Sequence, residues 1–126
     1  MIFEKKIPAF SDERGSITDI IEDKLVDHIT VITSEKGAIR GNHFHKESIQ
    51  YLYLVEGKIK AFSIDENGFN ESEIITSGTL IINPPHEVHA FIALERSVFF
   101  VFTRGPRGGK AYESDTYRVK DITQSV

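Results

Sequence analysis

Short runs of β-branched and aromatic residues follow one another along the chain and are separated by turn-forming residues about every ten positions. Several runs alternate apolar and polar residues, the period of two that buries one face of a strand. Stripes with the period of a helix are nearly absent. The pattern predicts strands at Ser16 to Ile21, His28 to Ser34, Ile39 to His45, Gln50 to Glu56, Lys58 to Ile64, Ser72 to Ser77, Thr79 to Asn83, His89 to Leu94 and Ser97 to Thr103. We therefore expect an all-β sandwich or barrel.

Glycine, asparagine and proline mark the ends of these strands. Gly57 separates two apolar runs, and Asp65 to Gly68 follow the second run. Both positions are typical of hairpin ends, because their residues tolerate a positive φ. Pro84 and Pro85 end a later strand, since proline cannot donate to a strand ladder. The expected sheet order is a meander with abrupt corners.

Two segments fall outside the strand pattern. Residues Ile20 to Val26 form either one short helix or a loop against the barrel wall. The polar, glycine-rich tail from Arg104 predicts a loop followed by a short strand near Tyr117 to Lys120.

The run from Ser97 to Phe102 is apolar on both of its faces. A strand of this kind needs cover on the side that does not face the barrel interior. A second copy of the chain is the simplest cover, so we expect a homodimer.

A length of 126 residues is enough for one domain with one core, and we take 1–126 as a single domain. Hydrophobic residues make up 40% and charged residues 27%, values typical of a globular chain rather than a disordered one. No apolar run approaches the roughly 20 residues that span a bilayer, and the N-terminus lacks the apolar stretch of a signal peptide. We expect a cytoplasmic protein with no membrane partner.

The formal net charge of −4 argues against nucleic acid as a partner, because such binding depends on a basic field. A few cations focused in a cleft of an acidic protein suit a small anionic ligand instead. Candidates for such a group are Lys36, Arg40, Arg104, Arg107 and Lys110. The chain has no cysteine, so a metal would need histidine, carboxylate or amide ligands.

Histidines supply the main candidate site. His43 and His45 are two residues apart in a predicted strand, so both side chains lie on the same face. Gln50 begins the strand that follows His45 and His89 begins a later one, and both side chains can point to the same interior. Burying two imidazoles costs desolvation unless each finds a partner, which favours a functional site over two structural histidines.

Two kinds of chemistry fit this group. His43, His45, His89 and Gln50 would suit a divalent Zn, Fe, Mn or Ni ion. A neutral histidine is equally suited to act as a general base, because its ordinary pKa is about 6.5. The residues alone leave both interpretations open.

Two stretches carry a resemblance to a known family. Gly41-Asn42-His43-Phe44-His45, continuing through Gln50 to Gly57, resembles the first cupin motif, and Gly78 through Pro84 to His89 resembles the second. The resemblance implies a cupin barrel, a jelly-roll-like double-stranded β-helix. Metal-binding cupins usually have glutamate where this chain has Gln50 and glycine where it has His86. Since an amide is a weaker ligand than a carboxylate, the first departure weakens the case for a tightly bound metal.

A narrower resemblance runs through Phe10-Ser11-Asp12-Glu13-Arg14-Gly15 and Gly37-Ala38-Ile39-Arg40-Gly41-Asn42-His43. These stretches are similar to the RmlC-like nucleotide-sugar branch of the cupins, the dTDP-4-dehydrorhamnose 3,5-epimerases and dTDP-4-keto-6-deoxyglucose 3,4-ketoisomerases. The His-x-His form at His43 to His45 and the short chain look more like the ketoisomerases.

The resemblance implies a function and roles for particular residues. It implies proton transfer on a 4-keto-6-deoxy sugar nucleotide for polysaccharide biosynthesis, with no cofactor required. Arg40 would lie near the substrate diphosphate and His43 would be the base, with His45 as proton shuttle or oxyanion donor. Among the tyrosines we favour Tyr53 as the acid. Asn42, Gln50 and His89 are the further candidates for substrate binding.

Two other classes of function stay open from the sequence. The first is a metal-dependent cupin enzyme, a dioxygenase or an isomerase of a small polar substrate. The second is a cupin that binds a sugar without turning it over.

Overall fold

The computed structural model describes residues 1–106 and 109–124, and nearly every element in this part of the chain is a strand. The expected all-β class is confirmed. The elements are β1 Ile2–Lys5, β2 Phe10–Asp12, β3 Gly15–Ile17, β4 His28–Ser34, β5 Ile39–Phe44, β6 Ile49–Glu56, β7 Lys58–Ile64, β8 Asn70–Thr76, β9 Thr79–Asn83, β10 Val88–Ala93, β11 Ser97–Arg104, the short helix α1 Gly109–Ser114 and β12 Tyr117–Arg118.

Two five-stranded antiparallel sheets form the barrel. Their strand orders are β1-β9-β6-β11-β4 and β12-β5-β10-β7-β8, and β2 and β3 form a separate hairpin. The inward side chains of both sheets meet in one apolar cluster, which contains Leu52, Leu54, Ile59, Ala61, Ile75, Ile81, Phe91, Phe99 and Val101. This is the jelly-roll-like cupin barrel that the motifs implied.

The expected meander is wrong, because the chain repeatedly crosses from one sheet to the other. β6 pairs with β9 and β11, whereas β7 pairs with β8 and β10. Gly57 is therefore a corner between sheets and not a hairpin end. Its φ is +108°, and its position close to Arg96 and Ser97 leaves no room for a side chain. The turn at Asp65 to Gly68 does join a hairpin, formed by β7 and β8.

Most predicted strands shift by at most two residues at either end, whereas the predicted strand Ser16 to Ile21 changes more. The first predicted strand shrinks to β3, and the residues from Ile20 to Val26 form a loop rather than a helix. Ile20 and Ile21 line a groove with Tyr51 on the outer face of the first sheet, where their apolar side chains find cover without regular structure. The tail contains α1, which the sequence did not predict because six residues are too few to establish a helical period. A helix long and apolar enough to span a bilayer is absent from residues 1–106 and 109–124.

A β-bulge at Gly41 and Asn42 interrupts the pairing of β5 with β10. His43 lies opposite His89, but Gly41 lies opposite Ala90, so Asn42 is the extra residue. Both bulge residues have a positive φ, +95° for Gly41 and +57° for Asn42. In a regular strand Arg40 and His43, three residues apart, would point to opposite faces. The bulge returns both side chains to the barrel interior.

The bulge predicts a strict requirement for glycine at position 41. A Cβ atom there would lie 2.6 Å from the His89 carbonyl oxygen and 3.0 Å from the Ala90 Cα, which are backbone atoms that cannot rotate away. We expect Gly41→Ala to lower the free energy of unfolding by more than about 2 kcal/mol, since a clash adds to the cost of the positive φ. Urea denaturation measures this loss.

Gly68→Ala is the matched control, because Gly68 has a φ of +82° and no atom beyond its two chain neighbours within 4 Å of the position that a Cβ would take. Its free energy of unfolding should fall by only about 1 kcal/mol, the cost of placing a non-glycine residue at a positive φ. Equal losses in the two variants would contradict a steric role for the bulge.

Candidate active site

Three histidines from two strands converge inside the barrel. His43 lies on β5, His45 directly follows it and His89 lies opposite His43 on β10. The ring centroids are 4.9 Å apart for His43 and His45, 4.8 Å for His43 and His89, and 5.5 Å for His45 and His89. The sequence predicted this convergence from the spacing of two between His43 and His45.

The three rings differ in their exposure. His45 and His89 are each only 2% exposed, whereas His43 is half-buried and lines the open cavity. Burial lowers the pKa of His89 well below its ordinary value, and repulsion from His43 and His45 lowers it further. His89 is therefore neutral at pH 7. His43 and His89 both line the cavity, and His43 is the more exposed of the two.

A cavity of about 440 Å³ opens in front of the histidines. One part of its wall is apolar and the other carries the polar and charged groups. Its lining consists of Ile32, Ile39, Arg40, Gly41, His43, Gln50, Leu52, His89, Phe91, Phe99, Val101, Tyr112 and Arg118. A concave apolar pocket with a few convergent polar groups is typical of a small-molecule site.

The first sheet supplies a polar row to the barrel interior. Gln50 on β6 lies beside Asn83 on β9 and Thr103 on β11 in the strand registers. All three are buried, and the Asn83 amide and Thr103 hydroxyl have no hydrogen-bond partner within the described part of the chain. Gln50 reaches the cavity as predicted, and its two neighbours were not recognised from the sequence.

Arg40 lies at the rim of this cavity, where the bulge directs it. Its Nε donates to the Ser34 hydroxyl at 3.1 Å and its Nη2 to the Thr33 carbonyl oxygen at 2.8 Å. A guanidinium has five N–H groups, so these two bonds orient the side chain and leave donors for a ligand.

The second cation of the cavity is Arg118 on β12, which the sequence pattern did not indicate. Arg118 lies opposite His43 in the register of β12 and β5. Its two terminal nitrogens each donate to a carboxylate oxygen of Glu113 at 3.0 Å. Of the other candidate cations, Lys36, Arg104 and Lys110 are exposed and do not line the cavity, so they are solvated surface charges. Arg107 lies outside the described residues.

The tyrosine that approaches the histidines is Tyr112 on α1, not Tyr53. The Tyr112 ring centroid is 6.4 Å from that of His43 and 5.5 Å from that of His45. The prediction for Tyr53 is wrong, because strand alternation places it on the opposite face of β6 from Gln50 and Leu52, both of which line the cavity. Its side chain lies on the outer face of the sheet.

Asn42 does not face the cavity either. Its side-chain oxygen accepts a hydrogen bond from the Ile122 backbone N–H at 2.9 Å, and its amide nitrogen donates to Asp121 at 3.2 Å. As the extra residue of the bulge, Asn42 points away from the interior. It attaches the C-terminal segment to β5, and its predicted role in substrate binding has no support in this position.

The three histidines are also able to hold a metal ion. Each offers one ring nitrogen, and these atoms lie within 4.8 Å of one another. A tetrahedral ion with bonds of about 2.1 Å needs nitrogens roughly 3.4 Å apart, so modest ring rotations would suffice. In His45 and His89 the Nδ1 atom lies near a backbone carbonyl oxygen, at 2.9 and 3.3 Å, as is common in metal-binding histidines. The donor set therefore fits a divalent metal, with Gln50 as a further neutral donor.

An antiparallel two-sheet barrel with inward histidines and an open cavity is the cupin fold. Residues 10–103 match the family described as the polysaccharide biosynthesis C-terminal domain, and the chain belongs to this family. No curated protein matches the chain by sequence.

Solved structures of nucleotide-sugar enzymes have similar folds. The 3'-monoepimerase ChmJ from Streptomyces bikiniensis, in complex with dTDP-quinovose, has a TM-score of 0.82 and 16% identity, over 98% of this chain and 71% of that one. The dTDP-4-dehydrorhamnose 3,5-epimerase from Bacillus anthracis, with TDP and PPi bound, has a TM-score of 0.79 and 18% identity. The match covers 98% of this chain and 82% of that one.

A double mutant of the QdtA 3,4-ketoisomerase from Thermoanaerobacterium thermosaccharolyticum, in complex with TDP, gives a TM-score of 0.73 and 24% identity, over 96% of this chain and 88% of that one. The resemblance to this branch of the cupins is thus confirmed for the fold.

The buried, neutral His89 predicts acid sensitivity. Its pKa in the folded protein is lower than in the unfolded chain, so below about pH 6.5 the unfolded chain takes up a proton that the folded protein does not. The free energy of unfolding should fall as the pH is lowered below about 6.5, by up to about 1.4 kcal/mol per pH unit for one such group. Urea denaturation between pH 8 and pH 5 measures the slope.

His89→Asn should flatten this slope, and His28→Asn, which changes an exposed histidine on β4, should not. An unchanged slope in His89→Asn would show that other groups cause the acid sensitivity.

Proposed function

We propose that the protein is a nucleotide-sugar isomerase that moves a proton on a 4-keto-6-deoxy sugar nucleotide, as an epimerase or a 3,4-ketoisomerase. The observation that carries this proposal is the convergence of His43 and Tyr112 on one cavity with two arginines in its lining. The family described by polysaccharide biosynthesis supports the same substrate class. We expect the reaction to take place in the cytoplasm.

Arg40 and Arg118 are the groups proposed to bind the diphosphate. Guanidinium groups match phosphate oxygens in geometry and charge. Arg40 is already oriented by Ser34 and Thr33, so binding costs it little conformational entropy. The apolar wall formed by Ile32, Phe99 and neighbouring residues is suited to the less polar parts of the substrate.

His43 is the proposed base. A proton next to the keto group is acidic because its removal gives an enediolate whose charge rests on the former carbonyl oxygen. His43 lines the cavity and is half-buried, so it meets substrate while partly shielded from water. The Tyr112 hydroxyl is the proposed donor that stabilises the oxyanion, and the neighbouring His45 is the proposed proton shuttle.

The outcome depends on where the proton returns. Reprotonation at C3 or C5 from the other face of the ring inverts that carbon. Transfer of the O3 hydroxyl proton to the O4 oxygen, followed by protonation of C4, moves the ketone from C4 to C3. Both routes rearrange protons and electrons within the sugar, so neither requires a redox cofactor. Tyr112 is the proposed acid, because it is the phenol that lines the cavity.

A metal-dependent reaction is the second candidate, and the specific observation in its favour is the three-histidine donor set. A divalent ion held by His43, His45 and His89 would supply a Lewis acid at the same position. Under this alternative His43 is a ligand and is not available as the base. A cupin that only binds a sugar would use the same cavity without either chemistry.

We also propose that a second copy covers the outer face of the first sheet. Phe100 lies between Val31 on β4 and Tyr53 on β6 in the strand registers, and Phe102 lies beside Ile29. Ile29 is 68% exposed, Val31 59% and Phe100 36%. This contiguous apolar surface on the outer face is the one that the run from Ser97 to Phe102 predicted. A homodimer would remove it from water.

The proposed proton transfer is tested by incubating a dTDP-4-keto-6-deoxyglucose sample with the protein in deuterated water. NMR should detect deuterium in the sugar ring. Deuterium at C4 of a 3-keto product identifies a ketoisomerase, and deuterium at C3 or C5 with the 4-keto group retained identifies an epimerase. His43→Ala should slow the exchange by about 10²-fold or more, the usual effect of a lost general base.

Treatment with EDTA separates the two candidate reactions. Exchange that persists after chelation, with no metal found by elemental analysis, supports the histidine base. Exchange that stops with EDTA and returns with an added divalent metal would move the assignment to the metal-dependent class. Binding of the sugar nucleotide without any exchange would identify a non-catalytic protein.

The two tyrosines give a matched pair of variants. Tyr112→Phe should lower kcat by about 10²-fold, because it removes the proposed acid while keeping the ring that contacts the histidines. Tyr53→Phe removes the same hydroxyl from the outer face and should leave kcat unchanged. Steady-state kinetics of both variants measure the difference, and equal values would contradict the assignment of the acid.

The proposed homodimer is tested by sedimentation velocity at micromolar concentration. Phe100→Glu places a charge in the centre of the apolar surface and should shift the protein from dimer to monomer. Phe69→Glu is the matched control, because Phe69 is 64% exposed on the loop between β7 and β8 and away from that surface. A monomeric unmodified protein would contradict the proposal directly.

A further inference from the structure

Asp115 clamps the segment that joins β5 to β6. This aspartate directly follows α1 and is only 1% exposed. Its Oδ1 accepts hydrogen bonds from the backbone N–H groups of Lys46 and Glu47 at 3.0 and 3.2 Å. Its Oδ2 accepts from the backbone N–H and the hydroxyl of Ser48 at 3.0 and 2.9 Å. One carboxylate therefore fixes the three residues that follow His45.

The same residue also contacts the His45 ring. The Nδ1 atom of His45 lies 2.9 Å from the backbone carbonyl oxygen of Asp115. A carbonyl oxygen can only accept a hydrogen bond, so Nδ1 carries the proton. In the neutral ring Nε2 is then the proton acceptor. Asp115 thus fixes the backbone after His45 and also which ring nitrogen of His45 bears the proton.

Only a carboxylate satisfies this arrangement, because every group directed at the Asp115 side chain is a donor. Burial raises the pKa of the Asp115 carboxyl, but the hydrogen bonds from Lys46, Ser48 and Glu47 outweigh it and hold the pKa below its ordinary value. An amide at this position would direct an NH₂ group against backbone N–H donors.

Asp115 further connects this segment to the helix that bears Tyr112. Its backbone N–H donates to the Tyr112 carbonyl oxygen at 3.1 Å, and the Thr116 hydroxyl donates to the same oxygen at 2.6 Å. Asp115 therefore bonds both to the last turn of α1 and to the residues that follow His45. A displacement of Asp115 would move Tyr112 and the residues after His45 together.

We propose that Asp115 is a positioning residue, which holds His45 in the Nδ1-protonated tautomer and fixes the Tyr112 helix relative to the histidines. Its importance for turnover rests on the proposed function, whereas its effect on the tautomer does not. It touches no reacting atom in this role and acts through His45 and Tyr112.

The test uses the full chain labelled with ¹⁵N, and NMR of the histidine ring nitrogens at pH 8 reads the tautomer of His45. In the unmodified protein we expect a single Nδ1-protonated form. Asp115→Asn should produce a mixture of both tautomers and lower kcat by about 10 to 10²-fold with a smaller effect on KM, as expected for a displaced catalytic group.

Asp65→Asn is the matched control. Asp65 also accepts two backbone N–H bonds, from Asn67 and Phe69 at 2.9 Å each, but it lies in the loop between β7 and β8. It should change neither the His45 signals nor kcat. Ser48→Ala is a milder second variant, because it removes one donor to Asp115 and keeps the three backbone donors. It should give a smaller share of the second tautomer.

Each outcome is decisive. A single Nδ1-protonated form in both Asp115→Asn and Ser48→Ala would overturn the proposal, and if Asp115→Asn does not fold, Ser48→Ala alone decides by the same criterion. A mixed tautomer with unchanged kcat would overturn the role in turnover. If the unmodified protein catalyses no deuterium exchange, the proposed isomerase function is wrong. A tautomer mixture in Asp115→Asn would then still support the effect of Asp115 on His45.

Discussion

The arrangement of the site depends on one extra residue in β5. Without the bulge at Gly41 and Asn42, strand alternation would place Arg40 and His43 on opposite faces of the sheet, and only one of these two side chains would reach the cavity. The bulge is possible because Gly41 has no side chain where the backbone of β10 passes closest. The outward-pointing Asn42 then becomes the attachment for the C-terminal segment. The proposed phosphate contact of Arg40, the proposed base His43 and the attachment of the C-terminal segment through Asn42 thus lie within four consecutive residues.

The barrel interior is divided between an apolar part and a polar part. Leu54, Ile59 and Ile81 fill one end, where close packing stabilises the two sheets against each other. At the other end the histidines of the second sheet face the polar row around Gln50 in the first. Burying so many polar groups opposes folding unless they are satisfied. The burial of apolar side chains at the first end offsets this free-energy cost, because both ends belong to the same barrel.

Alternation and turn chemistry were enough to predict most strands, the all-β class and the convergence of His43, His45 and His89. Alternation also predicts the outward orientation of Tyr53, because in a strand with Gln50 pointing inward the residue three positions later points outward. The sheet order was not predictable in this way, since Gly57 is equally suited to a hairpin and to a corner between sheets. Tyr112, Asp115 and Arg118 were missed because they lie in a short helix, in the turn after it and in a two-residue strand, where neither period has room to repeat. Their place beside the histidines is set by long-range pairing with β5.

The position of these three residues along the chain has a consequence for biosynthesis. Both sheets, apart from β12, consist of segments that precede α1, so a nascent chain emerging from the ribosome can assemble the barrel wall before Tyr112, Asp115 and Arg118 have left the exit tunnel. At that stage the residues after His45 lack their clamp and β5 is an open edge strand, which is a known hazard for association with other chains. Arrival of the C-terminal segment pairs β12 with the end of β5 at His43 and Phe44 and brings Tyr112, Asp115 and Arg118 to the histidines. Completion of the site therefore coincides with the covering of one open sheet edge of the unfinished molecule.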